Sequence, residues 1–239
     1  MIKPSLKRIA RIAGVLYLIN AITAAIGIII IPGKLIVKND IATTAQNIIN
    51  NEFLFRIGIL NSLSSQIVSL FLALTLFKLF ENVNKNLARS LLTLVVASVP
   101  VVFYVIFNQL EANEILRNNF MTSFDGIQKQ ELAMSKLRIY QNGIVLVGVF
   151  WGLWLIPFGQ LVYKSGFIPK IFGVFLIVGG ITYLLDVGTF ILIPDFHTKT
   201  TVLVAVTSSI AELSMVIWFL IKGIRTQKES LLTSVQQVE

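Results

Sequence analysis

The chain has 239 residues, one histidine and no cysteine, with 55% hydrophobic and only 13% charged residues, a net charge of +8 and a mean hydropathy of +0.81. A soluble domain carries about 25% charge and roughly 45–50% apolar residues, so the apolar excess points to a lipid-facing surface and not to a larger core. Missing cysteines exclude disulfide frameworks, thiolate zinc sites, iron–sulfur ligation and thiol catalysis, and a lone His197 excludes HExxH zinc chemistry and bis-histidine haem ligation.

Lys3, Lys7, Arg8 and Arg11 open the chain ahead of a first apolar run. That run is about 20 residues, longer than the 7–15 of a signal-peptide core, and Ile28–Ile31 is a poor cleavage site, so it reads as a retained signal anchor. Four stretches lack Asp, Glu, Lys and Arg altogether: Ile12–Gly33, Ile57–Phe77, Ser90–Leu110 and Ile139–Tyr163. Two more, Ile171–Pro194 and Thr200–Ile221, are each interrupted by one acid, Asp186 and Glu212. A spanning helix needs about 20 mostly apolar residues. The pattern predicts an all-α membrane protein: a bundle of six transmembrane helices near 9–31, 57–80, 88–110, 139–163, 168–193 and 200–222. The whole chain, 1–239, reads as a single integral membrane domain with two longer non-cytoplasmic connections, 32–56 and 111–138.

Orientation follows from Lys and Arg near the span ends. The side holding both termini carries twelve Lys and Arg with three acids, whereas the opposite side carries eight with seven acids. Both termini are therefore expected in the cytoplasm. The basicity serves topology and attraction to anionic lipid. No basic block stands outside the membrane-flanking segments, so a nucleic-acid partner is not expected.

Within the connections, Asn39-Asp40 suits the cap of a helix carrying Ile41, Ala45, Ile48 and Ile49 on one side. Residues 114–138 place Ile115, Leu116, Phe120, Phe124, Ile127, Leu132 and Leu137 among charges. Both segments are amphipathic enough to lie on the bilayer or over the bundle mouth. On the cytoplasmic side, Gly166 and Pro169 predict a tight helical hairpin between spans four and five. Gly148 and Gly152 form a GxxxG with Gly159 further along the stripe, and Gly173, Gly179 and Gly180 give span five a similar small face for close packing. Trp151 and Trp154 at mid-depth read as packing bulk.

A carboxylate at the bilayer centre costs about 2.5–3.5 kcal/mol on insertion scales. Such residues face the protein interior and find partners. At about 1.5 Å per residue, Asp186 lies about 10 Å and Glu212 about 18 Å from the outer ends of their spans. Arg56, Asn61, Asn142 and Asp186 belong to an outer polar layer, whereas Asn20, Gln66, Tyr183, Tyr17 and Glu212 cluster near the middle. Arg56 can extend along its stem toward Asp186, and Glu212 has Asn20 or Gln66 as candidate partners. One reading is a polar vestibule open to the outer face, floored by Glu212, that binds or moves a small molecule or ion. The other is a set of interhelical hydrogen bonds that orient the bundle.

No GxSxG, P-loop, GxGxxG or metal-ligand spacing occurs, so no cofactor, metal or catalytic residue is assigned and an enzyme is not the expected reading. His197, in the short outer turn Pro194–Lys199, reads as a solvated loop residue, since one His with Asp195 makes an incomplete metal site.

Several runs together resemble a known family. They are Arg8–Leu18, Phe55–Gly58, Asn82–Ala88, Gly152-Leu-Trp-Leu-Ile-Pro-Phe-Gly159, Leu161-Val-Tyr-Lys-Ser-Gly-Phe-Ile-Pro-Lys170, Ile181–Asp186 and Ala211-Glu-Leu-Ser-Met-Val-Ile-Trp-Phe-Leu-Ile-Lys-Gly223. Over roughly residues 7–224 the chain resembles the bacterial integral-membrane family known as domain of unknown function 4386. The resemblance implies a multi-pass protein of the bacterial plasma membrane and brings no activity, substrate or cofactor. Its polar positions fall on Arg56, Asp186 and Glu212. An accessory or sensory membrane component acting through partner contacts, or an intramembrane lipid-modifying enzyme, are the other functions weighed. The lipid bilayer is the expected partner, beside a small-molecule or ion ligand, an oligomer or a protein partner that the sequence does not identify.

Overall fold

The computed structural model describes residues 5–117 and 123–224. All regular structure among them is helical: α1 (Leu6–Ala24), a π-helical segment (Ala25–Ile30), α2 (Ile31–Leu35), α3 (Ile41–Asn50), α4 (Glu52–Phe80), α5 (Lys85–Arg117), α6 (Gly126–Ser165), α7 (Lys170–Leu192) and α8 (Pro194–Ile221). Six runs are long and apolar enough to cross a bilayer: Leu6–Leu35, Glu52–Phe80, Lys85–Arg117, Gly126–Ser165, Lys170–Leu192 and Pro194–Ile221. By length and composition the chain is a multi-pass membrane protein, as expected.

The helices outrun the predicted spans. Charged and amide residues do not interrupt a helix whose backbone is already hydrogen-bonded internally. They only leave hydrocarbon, so α5 continues to Arg117 and α6 starts at Gly126. Most of the 114–138 connection is thus an extension of two span helices. There Ile115 and Leu137 are buried while Phe124 and Ile127 are exposed; Phe120 lies outside the described residues. Both α5 and α6 run on through Pro100 and Pro157.

The connection 32–56 contains the helix predicted for it. Asp40 caps α3, accepting from the Thr43 amide at 2.9 Å and the Thr43 hydroxyl at 2.7 Å. Of the four residues assigned to its apolar side, Ala45 and Ile48 are buried and Ile41 and Ile49 are exposed.

The described residues fall into two compact units: those within 1–18, 69–98 and 148–224 form the first, those within 19–68 and 99–147 the second. The core of the first unit gathers Ala13 and Tyr17 of α1, Leu76 and Phe80 of α4, Leu91 of α5, Leu155 and Phe158 of α6, Leu176 of α7, and Met215 and Phe219 of α8. Trp154 stacks on Phe158 at 5.6 Å, which makes it the packing bulk the sequence suggested.

In this unit α6 and α7 form the expected hairpin, with Gly166 at φ 74° and Pro169 immediately before α7. Their backbones meet twice. A Cβ on Gly152 would lie 2.6 Å from the Gly180 carbonyl, and one on Gly159 would lie 2.5 Å from the Gly173 carbonyl. Both glycine pairs are seven residues apart on each helix, two turns, so the small faces stay in contact along an antiparallel pair. The other faces are apolar and open. Ile171, Val174, Val178, Ile181 and Leu185 on α7, and Leu203, Val206, Ile210, Leu213 and Ile217 on α8, recur at helical spacing and are 41–56% exposed. Stripes of that kind belong in hydrocarbon.

In the second unit the core includes Ile31, Leu35, Phe55, Ile59, Val102, Ile106, Ile115 and Leu137. The π segment approaches α4 closely. A Cβ on Gly27 would collide with Ser62 Oγ and lie 2.6 Å from the Ser62 nitrogen. The Ile31 amide bonds to the Ile26 carbonyl, five residues back, which is the wide hydrogen bond of a π turn.

Candidate functional site

The intramembrane carboxylates both lie in the first unit, on α7 and α8. Asp186 is buried, with 8% exposure. Its Oδ1 accepts from the hydroxyls of Thr200 at 2.7 Å and Thr201 at 3.1 Å, and lies 3.1 Å from His197 Nδ1. Thr189, one turn along α7, bonds the Asp186 carbonyl at 2.9 Å and meets the Thr200 hydroxyl at 2.7 Å. One turn in the other direction, Thr182 meets Thr207 of α8 at 2.7 Å. Thr182, Asp186 and Thr189 share a face because they are spaced four and three residues apart. The result is a seam of oxygen groups between α7 and α8.

Glu212 carries the seam deeper along α8. Its Oε2 accepts from the Tyr17 hydroxyl at 2.8 Å, so a residue of α1 closes this end. Tyr183 lies within electrostatic range of both Glu212 and Asp186, with Ser208 as a side-chain partner. Trp151 packs edge-on to Tyr183 at 5.9 Å, and Trp154 lies 6.2 Å from Tyr17. Of the residues selected from sequence, this unit brings together Asp186, Tyr183 and Glu212.

Arg56, Asn20, Asn61, Gln66 and Asn142 lie in the second unit. Arg56 is committed within it: Nε to Glu52 Oε1 and Nη2 to Glu114 Oε1, each at 2.8 Å. The Asn113 side chain, turned so that its oxygen faces the guanidinium, accepts from it at 3.2 Å. Arg117 lies 3.4 Å from Glu52. Asn61 donates to the Ile57 carbonyl of its own helix, and Gln66 donates to Ser65. The Asn20 carbonyl accepts from Thr23, and Asn142 is exposed.

Three expectations are corrected here. Arg56 pairs with Glu52 and Glu114, where the sequence reading offered it Asp186. The cause is helix length, since α5 continues past residue 110 and carries Glu114 with it. Asp186 instead takes its partners from α8, which begins at Pro194 and not at 200, so that His197, Thr200 and Thr201 are helical and face α7. For the same reason His197 is not a solvated loop residue: its side chain is 21% exposed and packs against Phe190 at 5.0 Å. Glu212 takes its hydrogen bond from Tyr17, where Asn20 and Gln66 had been the candidates.

Sequence reasoning missed the threonines. Thr and Ser inside apolar helices usually bond their own helix, as Thr207 does to Leu203, and so carry little weight singly. The signal was their spacing, with Thr182, Asp186 and Thr189 at one turn each, then Thr200, Thr201, Thr207 and Ser208 on the next helix. Among the described residues no group of three or more His, Cys, Asp or Glu could hold a metal ion.

The family model described as Domain of unknown function (DUF4386) matches residues 12–223. No curated protein matches the chain, and no solved structure does.

Proposed function

The chain belongs to the DUF4386 family, and from that premise we propose that it is a multi-pass protein of the bacterial plasma membrane, with both termini cytoplasmic, that binds a small cation or protonatable solute along the α7–α8 seam. The reading keeps the outward-facing polar site and moves its centre to Asp186, Tyr183 and Glu212. One observation carries it. Two carboxylates sit inside apolar helices, Asp186 on the hydroxyls of Thr200 and Thr201 with His197 beside it and Glu212 on the hydroxyl of Tyr17, and among the described residues neither is paired with a Lys or Arg. Acceptor-rich, cation-poor surroundings favour a positive guest. Intramembrane acids retained at the insertion cost above are associated with ion and proton paths.

Intrinsic fluorescence tests this, because Trp151 and Trp154 pack on the two tyrosines of the seam. Purified protein in detergent is titrated with sodium, potassium, ethylammonium and protons in turn. At least one is expected to shift the emission saturably, and Glu212→Gln or Asp186→Asn to weaken its apparent affinity about tenfold or more, as loss of a buried charge partner does. If both variants fold in normal yield and titrate like the parent, or if none of the four guests produces a saturable change, the carboxylates serve only to pack the helices.

A further inference from the structure

The second unit contains a cleft of about 670 Å³ between residues 28–44 and 134–144. We propose that it seats an anionic phospholipid of the surrounding bilayer, with the phosphate at Lys38 and Arg138 and an acyl chain along Ile28, Ile29 and Ile144. The site is separate from the α7–α8 seam and does not depend on the reading of that seam.

Its lining has the polarity of an amphiphile. Ile28, Ile29 and Ile144 come from the apolar runs predicted to cross the membrane, whereas Lys38 and Arg138 come from just beyond them. The cleft thus straddles the boundary between hydrocarbon and headgroups. Three of its lining residues are charged: Lys38, Asp40 and Arg138. Asp40 turns both carboxylate oxygens onto Thr43 of its own helix. Lys38 and Arg138 are exposed and form no ion pair among the described residues. The cleft therefore offers a guest two uncommitted cations against one carboxylate whose oxygens are already taken by a helix start. Charge complementarity selects an anionic headgroup over a zwitterionic one.

The wall of the cleft is a second, independent observation. Ile28 and Ile29 belong to the π segment Ala25–Ile30. Such turns concentrate at functional sites, because the widened backbone re-aims side chains at the cost of weaker hydrogen bonding. Here the segment packs against α4 at Gly27 and Gly58, which leaves Ile28 and Ile29 to line the cleft.

The test uses the full chain in nanodiscs of phosphatidylcholine alone or with phosphatidylglycerol, reading thermal stability and the lipid retained after delipidation. Phosphatidylglycerol is expected to raise the melting temperature and to be retained selectively. Lys38→Gln and Arg138→Gln should each weaken retention about fivefold and together about thirtyfold, as expected for roughly independent interfacial charges. Lys38→Arg and Arg138→Lys should restore it, and Lys85→Gln, whose residue does not line the cleft, should leave it unchanged. Equal retention of the two lipids by the parent protein would overturn the proposal, as would equal loss in Lys85→Gln. Stabilisation by inorganic phosphate or glycerol phosphate in phosphatidylcholine discs to the same extent would also overturn it, in favour of a soluble-anion site.

Discussion

Glu212 shows how little a single hydroxyl offsets for an intramembrane acid. Tyr17 is fully buried, and its phenol reaches the carboxylate at 2.8 Å. Interhelical hydrogen bonds in membranes average about 0.6 kcal/mol, less than the insertion cost of a carboxylate, so this bond alone does not offset the acid. Asp40 presents the opposite case, an exposed acid with a structural task. The Thr43 amide, then the Thr43 hydroxyl, hold its carboxyl below the ordinary range. Because the folded pKa is the lower one, the cap is complete above the unfolded value and is lost as pH falls through the folded value. The protection of the Thr43 and Thr44 amides, their exchange relative to the intrinsic rate at each pH, should therefore fall below about pH 4, where a free Asp side chain titrates. Asp40→Asn should keep the helix start and abolish that pH dependence, since Asn caps without a charge. An unchanged acid limb in Asp40→Asn would assign the fraying to another group.

At the scale of elements, α6 and α7 are joined by glycine twice and α7 and α8 by hydroxyls and a carboxylate. In lipid no hydrophobic force draws helices together, so close backbone contact must supply the attraction. Gly152→Ala or Gly159→Ala would force a methyl to within 2.6 Å of a carbonyl on the facing helix. Each should cost about 1–3 kcal/mol, the usual range for overpacking. Gly188→Ala, with nothing within 4 Å of the added carbon, should be nearly silent. Chemical unfolding in mixed micelles separates the two outcomes, and a comparable loss at Gly188 would show that glycine flexibility, not contact, is what matters. The small faces were legible because GxxxG and its neighbours repeat at helical spacing. The Gly27–Ser62 contact was not, because a single glycine in an apolar run has no partner visible in the sequence.

For the molecule as a whole, the six spans and the short Gly166–Pro169 turn could be read directly, since a bilayer imposes length and apolarity on every crossing. What could not be read was where each helix stops. Hydropathy reports the edge of hydrocarbon, whereas hydrogen bonding sets the end of a helix. The few residues between these limits decided the partners of Arg56, Asp186 and His197. Charge asymmetry across the spans supports cytoplasmic termini. A periplasm-active phosphatase fused after Ile221 should therefore be silent and a cytoplasm-active fluorescent reporter bright. The reverse pattern would invert the protein and place Lys38 and Arg138 in the cytoplasmic leaflet.

The π segment has a consequence for how this chain tolerates changes in length. Its wide turn accommodates one residue beyond an α-helical turn, and each residue in a helix advances the chain by about 100°. Removing any one of Ile28, Ile29 or Ile30 would let the segment rewind as an ordinary α-helix and leave Ile31–Leu35 facing nearly as before, because the residue lost is the one that the wide turn absorbs. Composition, hydropathy and the facing of Pro32 would barely alter, and only the isoleucines of the segment itself would be re-aimed. The run of isoleucines thus holds a spare residue, and a single deletion there is absorbed where the same deletion in a regular turn would rotate everything beyond it.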